Sequence, residues 1–220
     1  MPRSTRTRVV VAGLLLTLAL VFAQAASQWI DFHFFHLRLR VLDSDHHRSV
    51  FGALSILAEA VAAAAVGVRA VPGRRVAWLL VAAVVGALTV PRALMSYEPA
   101  IERYDVPILA APLTVICVAL CALTFRDARR LRLVVWGSLA LLAASFALHA
   151  VGPQADAVPR RASLVANTWA YQAIGILKHG AELAGWLLLA TAMAAAASPL
   201  TADPGCNGQR HAHHDQVVGL

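Results

Sequence analysis

Charged residues are scarce in this sequence. They make up 14% of its 220 residues, whereas a soluble domain carries about 25%. Hydrophobic residues make up 59%, and they are concentrated in stretches of about twenty residues that alternate with short polar segments. Polar segments this short exclude a sizeable soluble domain, and the apolar stretches indicate a chain embedded in a membrane.

The sequence also lacks several common motifs of nucleotide-binding, redox and hydrolytic sites. The sequence has no glycine-rich phosphate loop, no Cys-x-x-Cys and no Gly-x-Ser-x-Gly. Cys117 and Cys121 lie four residues apart in one apolar stretch, and a regular helix turn does not supply disulfide geometry, so we expect both to pack as small apolar residues. The net charge of +7 does not indicate a nucleic-acid partner, because the arginines lie in short loops where they orient membrane spans.

The apolar stretches predict an all-α fold, a polytopic transmembrane helical bundle of six spans in one domain, residues 1–200. A polar, disordered cytoplasmic tail follows at 201–220. Near the end of the third span, Pro91 predicts a kink or an end of the helix. The expected spans are about 9–30, 50–71, 76–96, 106–125, 133–151 and 165–198.

Arginine asymmetry predicts the orientation of the bundle. With both termini in the cytoplasm, that side holds 11 arginines and the opposite side holds 6, as the positive-inside rule requires. Lys178 is the single lysine, and arginine usage with abundant alanine indicates a high-GC bacterial genome. We therefore expect a multi-pass protein of the cell (inner or plasma) membrane, with the lipid bilayer as its first partner.

The first span has two interpretations. Residues 9–23 followed by Ala23-Gln24-Ala25 have the pattern of a signal-peptide core with a small-residue cleavage site. However, the apolar character continues to Ile30, and Trp29 fits an interfacial aromatic belt. A retained helix is favoured, and both interpretations leave the downstream topology unchanged.

The last span carries the least expected residues, Lys178, His179 and Glu182, within two helical turns. Ionisable groups at membrane depth are costly and mark functional sites. Glu59 follows nine residues after Val50, roughly 13 Å from the outer boundary, and we expect it to pair with Lys178 at matching depth. Alternatively, the span begins only at His179, and Lys178 snorkels to the interface.

Arg92 and His149 lie near the outer ends of the third and fifth spans, where each can be an interfacial residue; Glu98 or Glu102 would then pair with Arg92. Taken together, the polar residues share the outer half of the membrane, which predicts an outward-facing polar pocket between spans two, three, five and six. We expect five of these side chains to form a buried polar network. Its members are Glu59, Arg92, Lys178, His179 and Glu182.

The loop after the first span is rich in histidine. His33, His36, His46 and His47, with His149, are candidate ligands for zinc, copper, iron or a haem. The alternative is structural: residues 43–45 would cap the second span, and the first two histidines would be interfacial amphipaths beside Phe34 and Phe35.

Two stretches carry a resemblance to known sequences. They are 37–58, with Phe51 and Ser55 before an alanine-rich span, and Lys178-His179-Gly180-Ala181-Glu182-Leu183-Ala184-Gly185. Together they resemble uncharacterised multi-span membrane proteins of actinobacteria, whose last span has an acidic or polar residue near the Lys178 position, followed by Glu and Gly. The resemblance implies six retained helices and draws attention to Glu182, and it brings no activity with it.

Three functions remain open at this point, and so does the question whether the protein is an enzyme. The first is binding or transport of a small solute, ion or proton through the polar pocket, with Glu59, Lys178 and Glu182 as the working groups. The second is a membrane-embedded metal- or haem-binding protein. The third is a structural or assembly subunit that binds a membrane-protein partner or a second copy through its small-residue helix faces.

Overall fold

A computed structural model describes residues 3–36, 39, 41–42, 49–70, 76–95, 105–156 and 169–197. Within these residues the fold is all-helical, as the sequence predicts, and contains no strand. The six helices are α1 (Arg3–Ile30), α2 (Val50–Ala70), α3 (Val76–Met95), α4 (Asp105–Thr124), α5 (Arg129–Asp156) and α6 (Trp169–Ala197).

Five of these helices are long and apolar enough to cross a membrane: α1, α2, α3, α5 and α6. The sixth, α4, has a shorter apolar part, Leu109–Thr124, which spans about 24 Å by helix rise against a hydrocarbon core of about 30 Å. The chain thus has five to six helices suited to a membrane, where the sequence predicted six. Pro91 does not end α3, which continues to Met95.

The bundle is organised around α6. This helix packs against α1, α2 and α5, while α3 packs on α2 and α4 bridges α3 and α5. Helices α2 to α6 therefore close a ring, and α1 lies outside it against α6. The close approach of α1 and α6 depends on Gly13, where a Cβ atom would collide with the side chain of Thr191.

The contact between α2 and α3 is built from small residues. A Cβ on Gly67 would lie 3.7 Å from the Cβ of Ala82, and a Cβ on Gly86 would lie 3.8 Å from that of Ala63. Small residues let two backbones approach closely, which is the main source of helix association in lipid. This packing brings the polar residues of α2 and α3 within reach of each other.

Helix α2 begins at a side-chain cap. The Ser49 hydroxyl accepts a hydrogen bond from the Gly52 N–H at 3.0 Å, which satisfies one of the free donors at the first turn. The sequence placed this cap among residues 43–45, which lie outside the described residues. Ser49 directly precedes the first helical residue, and this is the position from which a hydroxyl reaches the third N–H.

Among the residues of α1 whose burial the structure describes, the buried ones are all polar: Thr17, Gln24 and Gln28. Asp31, in the turn that follows, is buried as well. Gln28 donates to the Gln172 side chain of α6 at 2.5 Å. Gln24, at the centre of the cleavage-like Ala-Gln-Ala motif, is fully buried. A Cβ on Gly180 of α6 would lie 3.3 Å from Oε1 of Gln24, so the two helices are in close contact here.

We therefore predict that α1 is retained in the mature protein. Cleavage after Ala25 would remove Thr17 and Gln24 and leave Gln28, which donates to Gln172, on residues 26–30 alone. The surface of α6 that α1 covers would then face lipid without the helix that holds its polar contacts, which is unfavourable. The intact mass of the protein purified from a bacterial membrane should include residues 2–25. A mass lacking this segment would show that the signal-peptide interpretation is the correct one.

Candidate functional site

Polar side chains from four helices meet in one half of the bundle. This is the half in which α2 and α6 begin and α3 and α5 end. The contributing residues are Ser55 and Glu59 of α2, Arg92 of α3, Ser145 and His149 of α5, and Lys178, His179 and Glu182 of α6. We call this set the polar cluster.

Glu182 is the centre of the polar cluster and is almost completely buried, at 5% exposure. Its Oε1 accepts a hydrogen bond from the Ser55 hydroxyl at 2.7 Å and forms an ion pair with the Arg92 guanidinium. Its Oε2 lies 3.8 Å from Nδ1 of His179, one turn earlier on α6. Glu182 therefore connects three helices of the ring through a single carboxylate.

Glu59 is fully buried and lies one helical turn after Ser55 on α2. Its Oε2 lies 3.4 Å from the Arg92 guanidinium, and its Oε1 is buried with no hydrogen-bond partner in the part of the chain that the structure describes. The cation in contact with Glu59 is thus Arg92, whereas the sequence favoured Lys178. Arg92 fills this role because α3 is antiparallel to α2 and the long arginine side chain reaches inward from near the end of α3.

Arg92 therefore lies inside the network instead of pointing to the interface. It contacts both buried carboxylates, Glu59 and Glu182, and its side chain is 20% exposed. Its alternative partners from the sequence, Glu98 and Glu102, lie outside the described residues. An arginine that bridges two carboxylates in a low-dielectric environment holds both charges in the bundle at reduced cost.

Lys178 is half-buried one turn before Glu182 on α6. It lies close enough to His149 of α5 for an electrostatic interaction. The lysine is thus on the α5 side of the polar cluster, while Glu59 approaches Glu182 from the α2 side.

A group of potential metal ligands forms where α5 faces α6. His149, His179 and Glu182 each offer one ligand atom, and these three atoms lie within 4.8 Å of one another. The two imidazole rings are perpendicular, with centroids 5.4 Å apart. His149 Nδ1 lies 3.0 Å from the Ser145 carbonyl oxygen, which can only accept, so Nδ1 carries the proton and Nε2 keeps its lone pair.

The histidines of the segment after α1 occupy a different environment. The ring of His33 packs against Trp29 at 4.7 Å and against Trp169 at 5.6 Å between centroids. His36 is exposed, has a left-handed backbone (φ 52°) and ends a short π-helical turn, Asp31–Phe35. Among the described residues these two histidines do not join a group of three metal ligands, and His46 and His47 lie outside the described residues.

Some polar contacts of the bundle carried no clear signal in the sequence. In the opposite half, Arg69 donates to both oxygens of Asp127 at 2.6 and 2.7 Å, and its guanidinium lies 4.4 Å from the centre of the Trp78 ring. Near the middle of α6, the Nε1–H of Trp186 is buried and has no hydrogen-bond partner among the described residues. Arg69 and Asp127 are 58 residues apart in the chain, and each looks like an ordinary loop residue.

The comparisons with known proteins add no assignment. No protein-family model, no curated protein and no solved structure gives a significant match to this chain. Its function must therefore be argued from the polar cluster.

Proposed function

We propose that this chain is a multi-pass protein of the cell membrane that binds a divalent transition-metal ion inside its helical bundle. The ligands are His149 of α5 and His179 and Glu182 of α6. One observation carries the proposal: three ligand atoms of the types that such metals prefer lie within 4.8 Å of one another where α5 faces α6. The ligands lie in the half of the bundle where α2 and α6 begin, which arginine asymmetry predicts to be the outer half.

The geometry is near that of a bound ion. Ligand atoms around a tetrahedral zinc with bonds of about 2.1 Å are about 3.4 Å apart, and His179 Nδ1 already lies 3.8 Å from Glu182 Oε2. Small side-chain rotations therefore close the group around an ion. Three protein ligands leave a coordination position for water or for another molecule, as catalytic and transport sites require.

The hydrogen bonds around the ligands have the pattern that supports metals elsewhere. Metal-binding histidines donate their second ring N–H to a carbonyl or a carboxylate, which fixes the ring and its tautomer. His149 makes this contact with Ser145. The ligating carboxylate is held in turn by Ser55 and Arg92 at Oε1, which leaves Oε2 directed toward His179.

The charged side chains near the three ligands have opposite effects on a bound metal ion. Arg92 and Lys178 repel a cation, whereas Glu59 and Glu182 attract one. Glu59 supports binding most directly, because it offsets Arg92 and retains an unpartnered buried oxygen. Without this second carboxylate, the arginine on Glu182 would oppose the positive charge of a metal at the same group.

The test is metal content after purification in mild detergent. We expect about one transition-metal ion per chain, and substitution His149→Ala or His179→Ala should weaken binding at least tenfold, since even supporting residues contribute 10- to 100-fold. His33→Ala is the matched control, because it removes an imidazole at the same end of the bundle but outside the ligand group. It should retain the metal.

Two results would contradict the proposal. One is a correctly folded protein that takes up no zinc, cobalt, nickel or iron(II) when titrated with each. The other is loss of the metal in His33→Ala with retention in His179→Ala, which would place the site in the histidine-rich loop. Folding of each variant is checked by circular dichroism and by gel filtration in detergent.

A further inference from the structure

A lipid-facing groove runs along the outer surface of α4 and α5, in the half of the bundle opposite the polar cluster. It has a volume of about 600 Å³ and is lined by Cys117, Val118, Cys121, Ala122, Phe125 and Trp136. Val118 and Phe125 are 65% and 64% exposed, and both are large apolar side chains. In a membrane, such a surface is in contact with acyl chains.

The shape of the groove follows from the sequence of α4. The groove is lined by the small side chains of Cys117, Cys121 and Ala122, and by the rings of Phe125 and Trp136. From Cys117 to Phe125 the groove follows α4 for about 12 Å by helix rise. One leaflet's hydrocarbon layer is about 15 Å thick, so the groove has the length of most of one extended acyl chain.

A cationic group lies beside the two aromatic residues of the groove, Phe125 and Trp136. The Arg132 guanidinium is 5.7 Å from the centre of the Phe125 ring and 5.3 Å from that of Trp136, and it donates to the Phe125 carbonyl oxygen at 2.9 Å. Rings and backbone thus hold this arginine where the hydrocarbon ends and lipid headgroups begin.

The turn between α4 and α5 adds further positive charge. Arg126, Arg129 and Arg130 are all exposed. The one acidic residue of the turn, Asp127, is bound by both oxygens to Arg69 and does not neutralise them. The end of the groove therefore carries four arginines without a competing free carboxylate in the turn.

We propose that this groove binds a phospholipid with an anionic headgroup. One acyl chain would lie along the small side chains of α4, and the phosphate would contact Arg132 with the exposed arginines around it. Arginine suits this role because its planar guanidinium forms paired hydrogen bonds to phosphate oxygens. On the predicted topology the turn is cytoplasmic, and clusters of basic residues at that surface attract anionic lipids. The proposal does not depend on the metal site.

The experiment counts bound lipid by native mass spectrometry. Delipidated protein is titrated with phosphatidylglycerol or with phosphatidylcholine of the same acyl chains, and inorganic phosphate is a third arm. We expect phosphatidylglycerol to bind at least tenfold more tightly than phosphatidylcholine, and phosphate not to displace it at millimolar concentration. Equal binding of the two lipids would overturn the proposal. Displacement of phosphatidylglycerol by inorganic phosphate would overturn it too, because the arginines would then bind an anion without any contribution from the acyl chain in the groove.

Two kinds of variant separate the headgroup from the groove. Arg129→Gln with Arg130→Gln should weaken phosphatidylglycerol binding about fivefold for each arginine. Ala122→Phe fills the groove from an exposed position and should weaken it at least tenfold without any change of charge. Val118→Phe, also at an exposed position, is the second filling variant if the first fails to fold.

The matched control is Arg6→Gln with Arg8→Gln. These arginines are on α1, at the same end of the bundle as the α4–α5 turn, and their loss removes the same charge. Binding in this control should stay within twofold of the unmodified protein. The proposal is overturned if this control loses as much phosphatidylglycerol binding as the Arg129→Gln/Arg130→Gln variant, because general surface charge would then explain the effect. It is also overturned if both groove-filling variants bind phosphatidylglycerol as well as the unmodified protein does.

Discussion

Substitution Arg92→Met is expected to destabilise the protein by about 3–5 kcal/mol, the cost of leaving buried charges without their partner. Arg92 contacts two buried carboxylates, Glu59 and Glu182. Glu182 would keep the Ser55 hydroxyl as a donor, whereas Glu59 would lose the cation that contacts it. Unfolding in mixed detergent micelles, followed by circular dichroism, measures the change in the free energy of unfolding.

Two further variants identify the cause of this loss. Glu59→Gln and Glu182→Gln, introduced together into the Arg92→Met protein, should restore more than half of the lost stability because the orphaned charges are removed. Arg126→Met is the control, since this arginine is exposed outside the polar cluster, and it should change stability by no more than about 0.5 kcal/mol. If Arg92→Met is as mild as the control, the ion pairs contribute no net stability.

The second large effect is expected at Gly185, where α6 crosses α5. A Cβ atom at this position would lie 2.6 Å from Cγ and 2.7 Å from Cδ2 of Leu142, and 3.2 Å from the backbone oxygen of Ser138. Leu142 is itself buried, and the Ser138 hydroxyl donates to the Gly185 carbonyl at 2.8 Å. The two helices therefore cannot separate without loss of a buried hydrogen bond.

Substitution Gly185→Ala should cost about 1–3 kcal/mol as overpacking, and Gly185→Val should cost more. Gly137→Ala is the matched control on α5, because a Cβ there meets nothing within 4 Å. It should be neutral or slightly stabilising, since alanine favours a helix by up to about 1 kcal/mol relative to glycine. Equal stabilities of the two alanine variants would show that α5 and α6 are not closely packed at Gly185.

Which polar residues meet could be predicted only in part from the sequence. Burial of Glu59 follows from its position in a span and from the small residues around it, because a charge in a bilayer turns toward the protein. The same rule brings Glu182 inward from α6. Which cation contacts each carboxylate was not predictable, because it depends on the order of the helices around the bundle and on how far the long Arg92 side chain reaches inward from near the end of α3.

The histidines show a second limit of sequence reasoning. The loop histidines attracted attention because several are close together in the chain, whereas the group of potential metal ligands in the structure joins His149 with His179, 30 residues later. Sequence clustering measures local density, but a metal needs convergence in space, which for two histidines on separate helices depends on the crossing of α5 and α6. Gly185 permits that crossing, and its role became visible only through Leu142 and Ser138.

The sequence by itself determined the class of this protein. Stretches of about twenty apolar residues can satisfy their backbone hydrogen bonds in a bilayer only as helices, and arginine asymmetry predicts an orientation. Tertiary structure alone decided that α6 is the central helix, that Arg92 bridges Glu59 and Glu182, and that His149 faces His179. The physical reason is that insertion depends on the composition of each segment, whereas these contacts depend on how close the helices approach and which faces they turn to each other.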